Sequence, residues 1–238
     1  MTTIDLDYKD GDLTCRGVLA YDPDIGGKRP GILVVHEAFG LGEHAIERAE
    51  RLAALGYVAL AADMFGARKQ ATDLPSALAL IGDLRTDAAL LSRRAMAGLN
   101  ALAAQPQVDT SRLGGIGFCF GGATVLRLAR DGANLKGVVS FHGALATPAP
   151  AAKGAVKASV LVCTGADDPL VPTAEVNAFE EEMRQAGADW QVIAYGGTVH
   201  SFTNKAADGT QMPGIKYHAQ TDARSWLAMQ NFFTEVFA

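Results

Sequence analysis

A glycine-flanked cysteine is the feature of this sequence best suited to nucleophilic chemistry. The segment Gly117-Phe118-Cys119-Phe120-Gly121 has the form G-x-C-x-G and lies between a predicted strand and a predicted helix. This is the nucleophile-elbow pattern with cysteine in place of serine. The glycines would avoid collisions within a sharp turn that projects Cys119 above a sheet. The N-terminus of the following helix offers backbone N–H groups and a positive dipole end, which favour a thiolate and an adjacent oxyanion.

Two other interpretations of this segment stay open. The segment could be a structural strand–helix turn that contains a buried cysteine. It could also be a dinucleotide-binding fingerprint, because Gly115, Gly117 and Gly121 are spaced G-x-G-x-x-x-G. That fingerprint expects a carboxylate at the end of the next strand. Here the next strand ends Ser140-Phe141-His142-Gly143, so the dinucleotide interpretation lacks its ribose ligand.

Two later segments could complete a catalytic triad. A nucleophile elbow is followed along the chain first by an acid and then by a histidine. Asp167 and Asp168 follow one predicted strand, and His200 follows a strand that ends at Tyr195. The carboxyl ends of parallel strands form the edge of a sheet where ligands bind. Residue chemistry alone does not choose between the two aspartates, because either could be a solvated turn residue.

The elements that must position these residues alternate between strand and helix. This alternation predicts an α/β fold with a mostly parallel sheet and helices on both faces. Half-polar segments around Asp10-Gly11-Asp12 predict an N-terminal antiparallel hairpin. The predicted strands are residues 4–8, 13–20, 31–35, 57–61, 113–117, 136–141, 159–164 and 190–195. A long helical region is expected over about residues 73–104, with Gly82 as a candidate division, and an apolar stripe with Trp226, Met229 and Phe233 predicts a C-terminal helix.

Length and composition favour one globular domain over residues 1–238. The chain is 49% apolar and 20% charged, and its net charge of −5 comes from interspersed residues. This charge pattern argues against binding to nucleic acid or to an anionic membrane. Three cysteines are too few for a disulfide scaffold. With neither a signal peptide nor an apolar run of about 18 residues, we expect a cytoplasmic protein, monomeric or homodimeric.

Several separated motifs together resemble the dienelactone hydrolase family, the cysteine branch of the α/β-hydrolase fold. Besides the Cys119 elbow, the matching segments are His36-Glu37-Ala38-Phe39-Gly40, Ala62-Asp63-Met64-Phe65-Gly66, Gly165-Ala166-Asp167-Asp168-Pro169-Leu170-Val171-Pro172 and His200-Ser201-Phe202. The acid turn of this family reads G-x-x-D-x-x-V. Counted from Gly165 and Val171, that frame selects Asp168.

The resemblance implies a Cys119–His200–Asp168 triad that cleaves a small ester or lactone through a thioester acyl-enzyme. It implies no cofactor, and no set of Cys, His and carboxylate residues has metal-ligand spacing. Two alternatives are an esterase or thioesterase that does not act on dienelactones, and a catalytically silent binding protein with the same fold.

The resemblance also implies roles for the loop after the strand 31–35. Glu37 is expected to help form the Cys119 thiolate, and the backbone N–H groups of Ala38 and Phe120 are expected to form the oxyanion hole.

The substrate-binding residues depart from the family pattern. Dienelactone-cleaving members hold the substrate carboxylate with arginines, one of them four residues after the catalytic histidine, where this chain has Asn204. Lys205 or Arg85 could supply a replacement cation, and His142 could line the pocket. We therefore expect a weak preference for carboxylate-bearing lactones.

Overall fold

The computed structural model of the chain describes residues 1–210 and 212–238. Within these residues the strands are β1 (Thr2–Asp10), β2 (Leu13–Tyr21), β3 (Arg29–Val35), β4 (Val58–Ala62), β5 (Val108–Phe118), β6 (Gly137–Phe141), β7 (Ser159–Gly165) and β8 (Trp190–Tyr195). The helices are α1 (Glu43–Ala54), α2 (Leu74–Thr86), α3 (Ala88–Ala103), α4 (Phe120–Arg130), α5 (Thr173–Ala186) and α6 (Ala219–Val236). The chain divides into two compact units, residues 1–116 and 117–238. A single domain over residues 1–238 stays a prediction.

The first unit opens with the predicted antiparallel hairpin. β1 pairs with β2 from Thr2 opposite Tyr21 to Asp10 opposite Leu13, and Gly11 supplies the positive φ of the turn. β2 also pairs antiparallel with β4, whereas β3 and β4 are parallel. β4 is buried along its whole length and consists of valine, leucine and alanine, as expected for a strand covered on both faces.

The second unit contains a run of parallel strands. β6 pairs parallel with β7, and β7 pairs parallel with β8. Helix α4 packs against β6, and α6 packs against β6 and β7. Trp226, Met229 and Phe233 of α6 are buried, which confirms the predicted apolar stripe. The strand directions of the two units confirm an α/β fold that is mostly parallel and has an N-terminal antiparallel hairpin.

The structure corrects the predicted division of the long helical region. α2 and α3 are separated at Asp87, which has an extended backbone, and Gly82 lies inside α2. The Asp87 carboxylate accepts a hydrogen bond from the Leu90 N–H at 2.9 Å and so caps α3. A glycine inside a helix costs only about 1 kcal/mol relative to alanine, so the aspartate cap decides where the chain breaks.

None of the helices in residues 1–210 and 212–238 has the length and apolar character needed to cross a bilayer.

Candidate active site

Cys119 occupies a sharp turn between β5 and α4. Its backbone angles are φ 53° and ψ −114°, a region that residues with a Cβ rarely adopt. A Cβ built on Gly117 would lie 1.9 Å from the carbonyl oxygen of Gly121. Only glycine fits at position 117, which confirms the reason predicted for this glycine. Phe120 is the first residue of α4, so its N–H belongs to the helix N-terminus beside Cys119.

Cys119 is also the most accessible of the three cysteines. It is partly exposed, whereas Cys15 and Cys163 are fully buried. Burial raises the pKa of Cys15 to about 11 and that of Cys163 to about 12. Because the thiolate is the reactive form of cysteine, these two buried thiols are poor nucleophiles near neutral pH. Accessibility therefore singles out Cys119, and the raised pKa values count against Cys15 and Cys163.

Asp168 and His200 form a buried pair at the ends of two different strands. Nδ1 of His200 lies 2.7 Å from Oδ2 of Asp168, and both residues are buried. The other carboxylate oxygen of Asp168 accepts a hydrogen bond from the Leu170 N–H at 2.8 Å. Asp167 is exposed. Of the two aspartates that the sequence offers, the structure therefore places Asp168 against His200.

Close backbone packing holds the acid turn against the histidine loop. A Cβ built on Gly165, the last residue of β7, would lie 2.3 Å from the carbonyl oxygen of Thr198. The same carbonyl accepts a hydrogen bond from the Asp167 N–H at 3.0 Å. These contacts fix the two loops so that Asp168 meets His200.

The environment of His200 favours its protonated form. Burial lowers the pKa of His200, but the negative charge of Cys119 and hydrogen bonds to Asp168 and Cys119 outweigh this effect and raise the pKa to about 10. Nε2 of His200, the ring nitrogen that does not face Asp168, is buried. The arrangement favours an imidazolium at His200.

The model of the dienelactone hydrolase family matches residues 16–237. The chain belongs to the dienelactone hydrolase family. The protein m3DLH is 46% identical in a comparison that covers 100% of this chain and 99% of that chain, with a TM-score of 0.95. A dienelactone hydrolase-like promiscuous phosphotriesterase from metagenomic libraries is 48% identical, with a TM-score of 0.93. That comparison covers 99% of this chain and 98% of the phosphotriesterase chain.

A curated relative from Methylorubrum extorquens gives the same assignment. It is named as a candidate carboxymethylenebutenolidase and is 28% identical over 90% of this chain and 74% of its own length. Together with the family match, these relatives show that the chain is an α/β-hydrolase of the carboxymethylenebutenolidase-like type.

In this family member, Glu37 and Ala38 lie in the loop after β3, within the first unit. Oε2 of Glu37 lies 3.6 Å from Nδ1 of His44, and Nε of Arg48 donates a hydrogen bond to Nε2 of His44 at 3.4 Å. Arg48 is fully buried. No motif in the sequence predicts this support for Glu37, although the spacing of four residues in α1 places His44 and Arg48 on one helix face. The roles of Glu37 and Ala38 stay predictions.

The residues predicted to bind substrate lie in different surroundings. Arg85 is exposed in the last turn of α2, in the first unit, and Lys205 is exposed in the loop after His200. His142 directly follows β6 and is fully buried. The geometry assigns no substrate contact to any of the three, so these roles stay predictions. Within the described residues, no group of three or more His, Cys, Asp or Glu residues could hold a metal ion.

Proposed function

We propose that this family member hydrolyses small esters or lactones with Cys119 as nucleophile, His200 as acid and base, and Asp168 as the group that orients His200. The main support is the 2.7 Å contact between His200 and Asp168, combined with the effect of Cys119 on the same imidazole. The three residues occur in the chain order expected for an elbow nucleophile. A binding protein without activity would not need a buried imidazolium beside an accessible cysteine.

The reaction begins when the Cys119 thiolate attacks the carbonyl carbon. A carbon–sulfur bond forms, and an electron pair moves onto the carbonyl oxygen, where N–H groups at the start of α4 stabilise the charge. The tetrahedral intermediate collapses and breaks the ester carbon–oxygen bond. The His200 imidazolium gives its proton to the leaving oxygen, which leaves a thioester on Cys119 and a neutral imidazole.

Water completes the cycle. Neutral His200 accepts a proton from a water molecule as the water oxygen attacks the thioester carbon. The second tetrahedral intermediate expels the Cys119 thiolate and releases the carboxylic acid. His200 is again an imidazolium, held in place by Asp168. One water is consumed for each bond cleaved.

Stoichiometric alkylation tests this proposal. We expect one equivalent of iodoacetamide to label Cys119 and to abolish hydrolysis of a chromogenic ester in proportion to the label. Substrate should slow the labelling, because acylation blocks the thiolate. Peptide mass mapping identifies the modified residue. Loss of activity with the label on Cys15 or Cys163, or full activity with Cys119 labelled, would contradict the proposal.

The substrate carboxylate is the point where this chain is expected to differ from dienelactone-cleaving relatives. Oδ1 of Asn204 accepts a hydrogen bond from the Ala206 N–H at 3.0 Å, so this amide is engaged in its own turn. An amide also cannot replace a charged bidentate donor. Loss of one charge-assisted hydrogen bond removes about 1.5–3 kcal/mol, or roughly 10- to 150-fold in kcat/KM.

We therefore expect a dienelactone and its methyl ester to be hydrolysed with kcat/KM values within about a hundredfold of each other. The measurement compares this matched pair at low and high salt. A larger, salt-sensitive preference for the free acid would show that another cation replaces the arginine. Lys205→Ala and Arg85→Ala would then identify it.

Phosphotriester hydrolysis is a second candidate activity. It is favoured by the 48% identity to a protein described as a promiscuous phosphotriesterase. The same thiolate would attack phosphorus, and the same N–H groups would stabilise charge on the phosphoryl oxygen. In the alkylation experiment, an aryl phosphotriester and an aryl ester should lose hydrolysis together. Survival of triester hydrolysis after Cys119 is labelled would rule out a shared nucleophile.

A further inference from the structure

Backbone strain in the second unit is concentrated around the proposed triad. Among the described residues of this unit, the non-glycine residues with positive φ are Cys119 at 53°, His142 at 41° and Ser201 at 55°. Such conformations persist where the surroundings hold them in place, and they cluster at functional sites. Cys119 is the proposed nucleophile, and Ser201 follows the proposed base. His142 has no part in the mechanism described above, so its contacts need a separate explanation.

Both ring nitrogens of His142 lie within hydrogen-bond distance of groups in the catalytic loops. The backbone N–H of Cys119 is shared between two acceptors, the Phe141 carbonyl oxygen at 3.0 Å and Nδ1 of His142 at 3.1 Å. Because a backbone N–H can only donate, Nδ1 must be unprotonated. Nε2 lies 2.8 Å from Oγ1 of Thr203. In the neutral ring Nε2 then carries the proton, and this N–H donates a hydrogen bond to Oγ1 of Thr203, so the two contacts define one tautomer.

The ring also packs directly against the proposed base. Its centroid lies 5.1 Å from the His200 ring at 65°, and 5.0 Å from the Phe202 ring at 83°. His142 and Thr203 are both almost completely buried. A second positive charge at this position would repel the His200 imidazolium, which agrees with a neutral His142. The ring therefore connects the amide of the nucleophile to the loop that holds the base.

We propose that His142, fixed as the neutral Nε2–H tautomer by Thr203, is a positioning residue that holds the Cys119 turn in register with His200. This inference rests on the proposed function of Cys119 and His200. It gives His142 a role different from the substrate contact expected from sequence, because a fully buried ring whose two nitrogens face protein groups has no surface to offer a substrate.

The test compares three substitutions at His142 and Thr203 with a control substitution at His218. His142→Phe keeps a ring but removes both hydrogen bonds, and Thr203→Val removes the hydroxyl while keeping its shape. His142→Asn keeps an acceptor near the Nδ1 position, and asparagine tolerates positive φ. His218→Asn is the control, because His218 caps α6 through the Thr221 N–H and asparagine is also a good cap.

We expect His142→Phe to lower kcat/KM by about 10- to 100-fold through kcat, since small displacements of reacting groups have effects of this size. The midpoint of the pH profile for alkylation of Cys119 by iodoacetamide should move to higher pH, because a displaced imidazolium stabilises the thiolate less. Thr203→Val should shift the profile in the same direction by a smaller amount. His142→Asn should recover part of the loss, and His218→Asn should keep the wild-type profile.

Two results would overturn the inference. One is an alkylation profile and a kcat for His142→Phe that match the wild type. The other is a rise in KM with an unchanged alkylation profile, which would show that His142 contacts substrate. If His142→Phe does not fold, Thr203→Val decides by the same criteria. The alkylation profile needs no substrate, so it separates this inference from the proposed function, which fails if Cys119→Ala remains fully active.

Discussion

Cys119→Ala should lower kcat/KM for a chromogenic ester by about 10⁴- to 10⁶-fold, the range seen when a nucleophile is removed from a catalytic triad. The proposed pathway has no other nucleophile, because Cys15 and Cys163 are buried and their thiols have raised pKa values. Alanine keeps the Cβ, so the strained turn at φ 53° is unchanged. The variant should therefore fold normally, which its melting temperature and circular dichroism spectrum will check.

Matched substitutions separate the nucleophile from the other thiols. Cys15→Ala and Cys163→Ala remove buried sulfur atoms but should keep the wild-type kcat/KM, with any effect confined to stability. Cys119→Ser should fold and lose most of its activity, because a serine hydroxyl has a much higher pKa than a thiol. An active Cys119→Ala variant, or an inactive Cys163→Ala variant that still folds, would contradict the assignment of the nucleophile.

The local geometry of the elbow could be predicted from the sequence because its causes are local. The glycine at position 117 is required by an atom only four residues away, at Gly121. The strand before Cys119 and the helix after it follow from short apolar patterns. Chain order then predicts an acid and a histidine, and the structure brings Asp168 and His200 together.

The support around the triad could not be predicted because it depends on contacts between distant segments. His142 meets Thr203 across 61 positions of the chain, and no spacing rule connects them. Sequence composition likewise favours Gly82 as a helix break, whereas the Asp87 side chain determines the actual division. Residues whose role is to hold other residues become visible only when their partners are known.

Asp168→Asn should lower kcat/KM by about 10³- to 10⁴-fold, because an amide at this position no longer enforces the correct tautomer of His200. The carboxylate accepts a hydrogen bond from Nδ1–H at 2.7 Å, which leaves Nε2 for the proton transfers of the proposed mechanism. An asparagine could present its NH₂ group to Nδ1 instead, which would move the remaining proton to Nε2. The alkylation midpoint of Cys119 should also move to higher pH, since the imidazolium loses a partner.

Asp167→Asn is the matched control for this substitution. Asp167 is adjacent in sequence but exposed, and its contact with the Thr198 carbonyl uses the backbone N–H. We expect kcat/KM of Asp167→Asn to stay within about twofold of wild type, as for surface substitutions away from a site. Equal losses in the two variants would show that the turn as a whole, and not the Asp168 carboxylate, supports His200.

The pH dependence of stability provides a second measurement on Asp168→Asn. The pKa of His200 is about 10 in the folded protein and about 6.5 in an unfolded chain. A raised pKa means that the folded state binds the proton more tightly. The stabilisation is therefore complete below about pH 6.5 and is lost as the pH rises towards 10. Asp168→Asn removes one cause of this shift, so it should lower the melting temperature more at pH 6 than at pH 10. A difference in melting temperature that stays constant over this range would mean that Asp168 does not stabilise the His200 imidazolium.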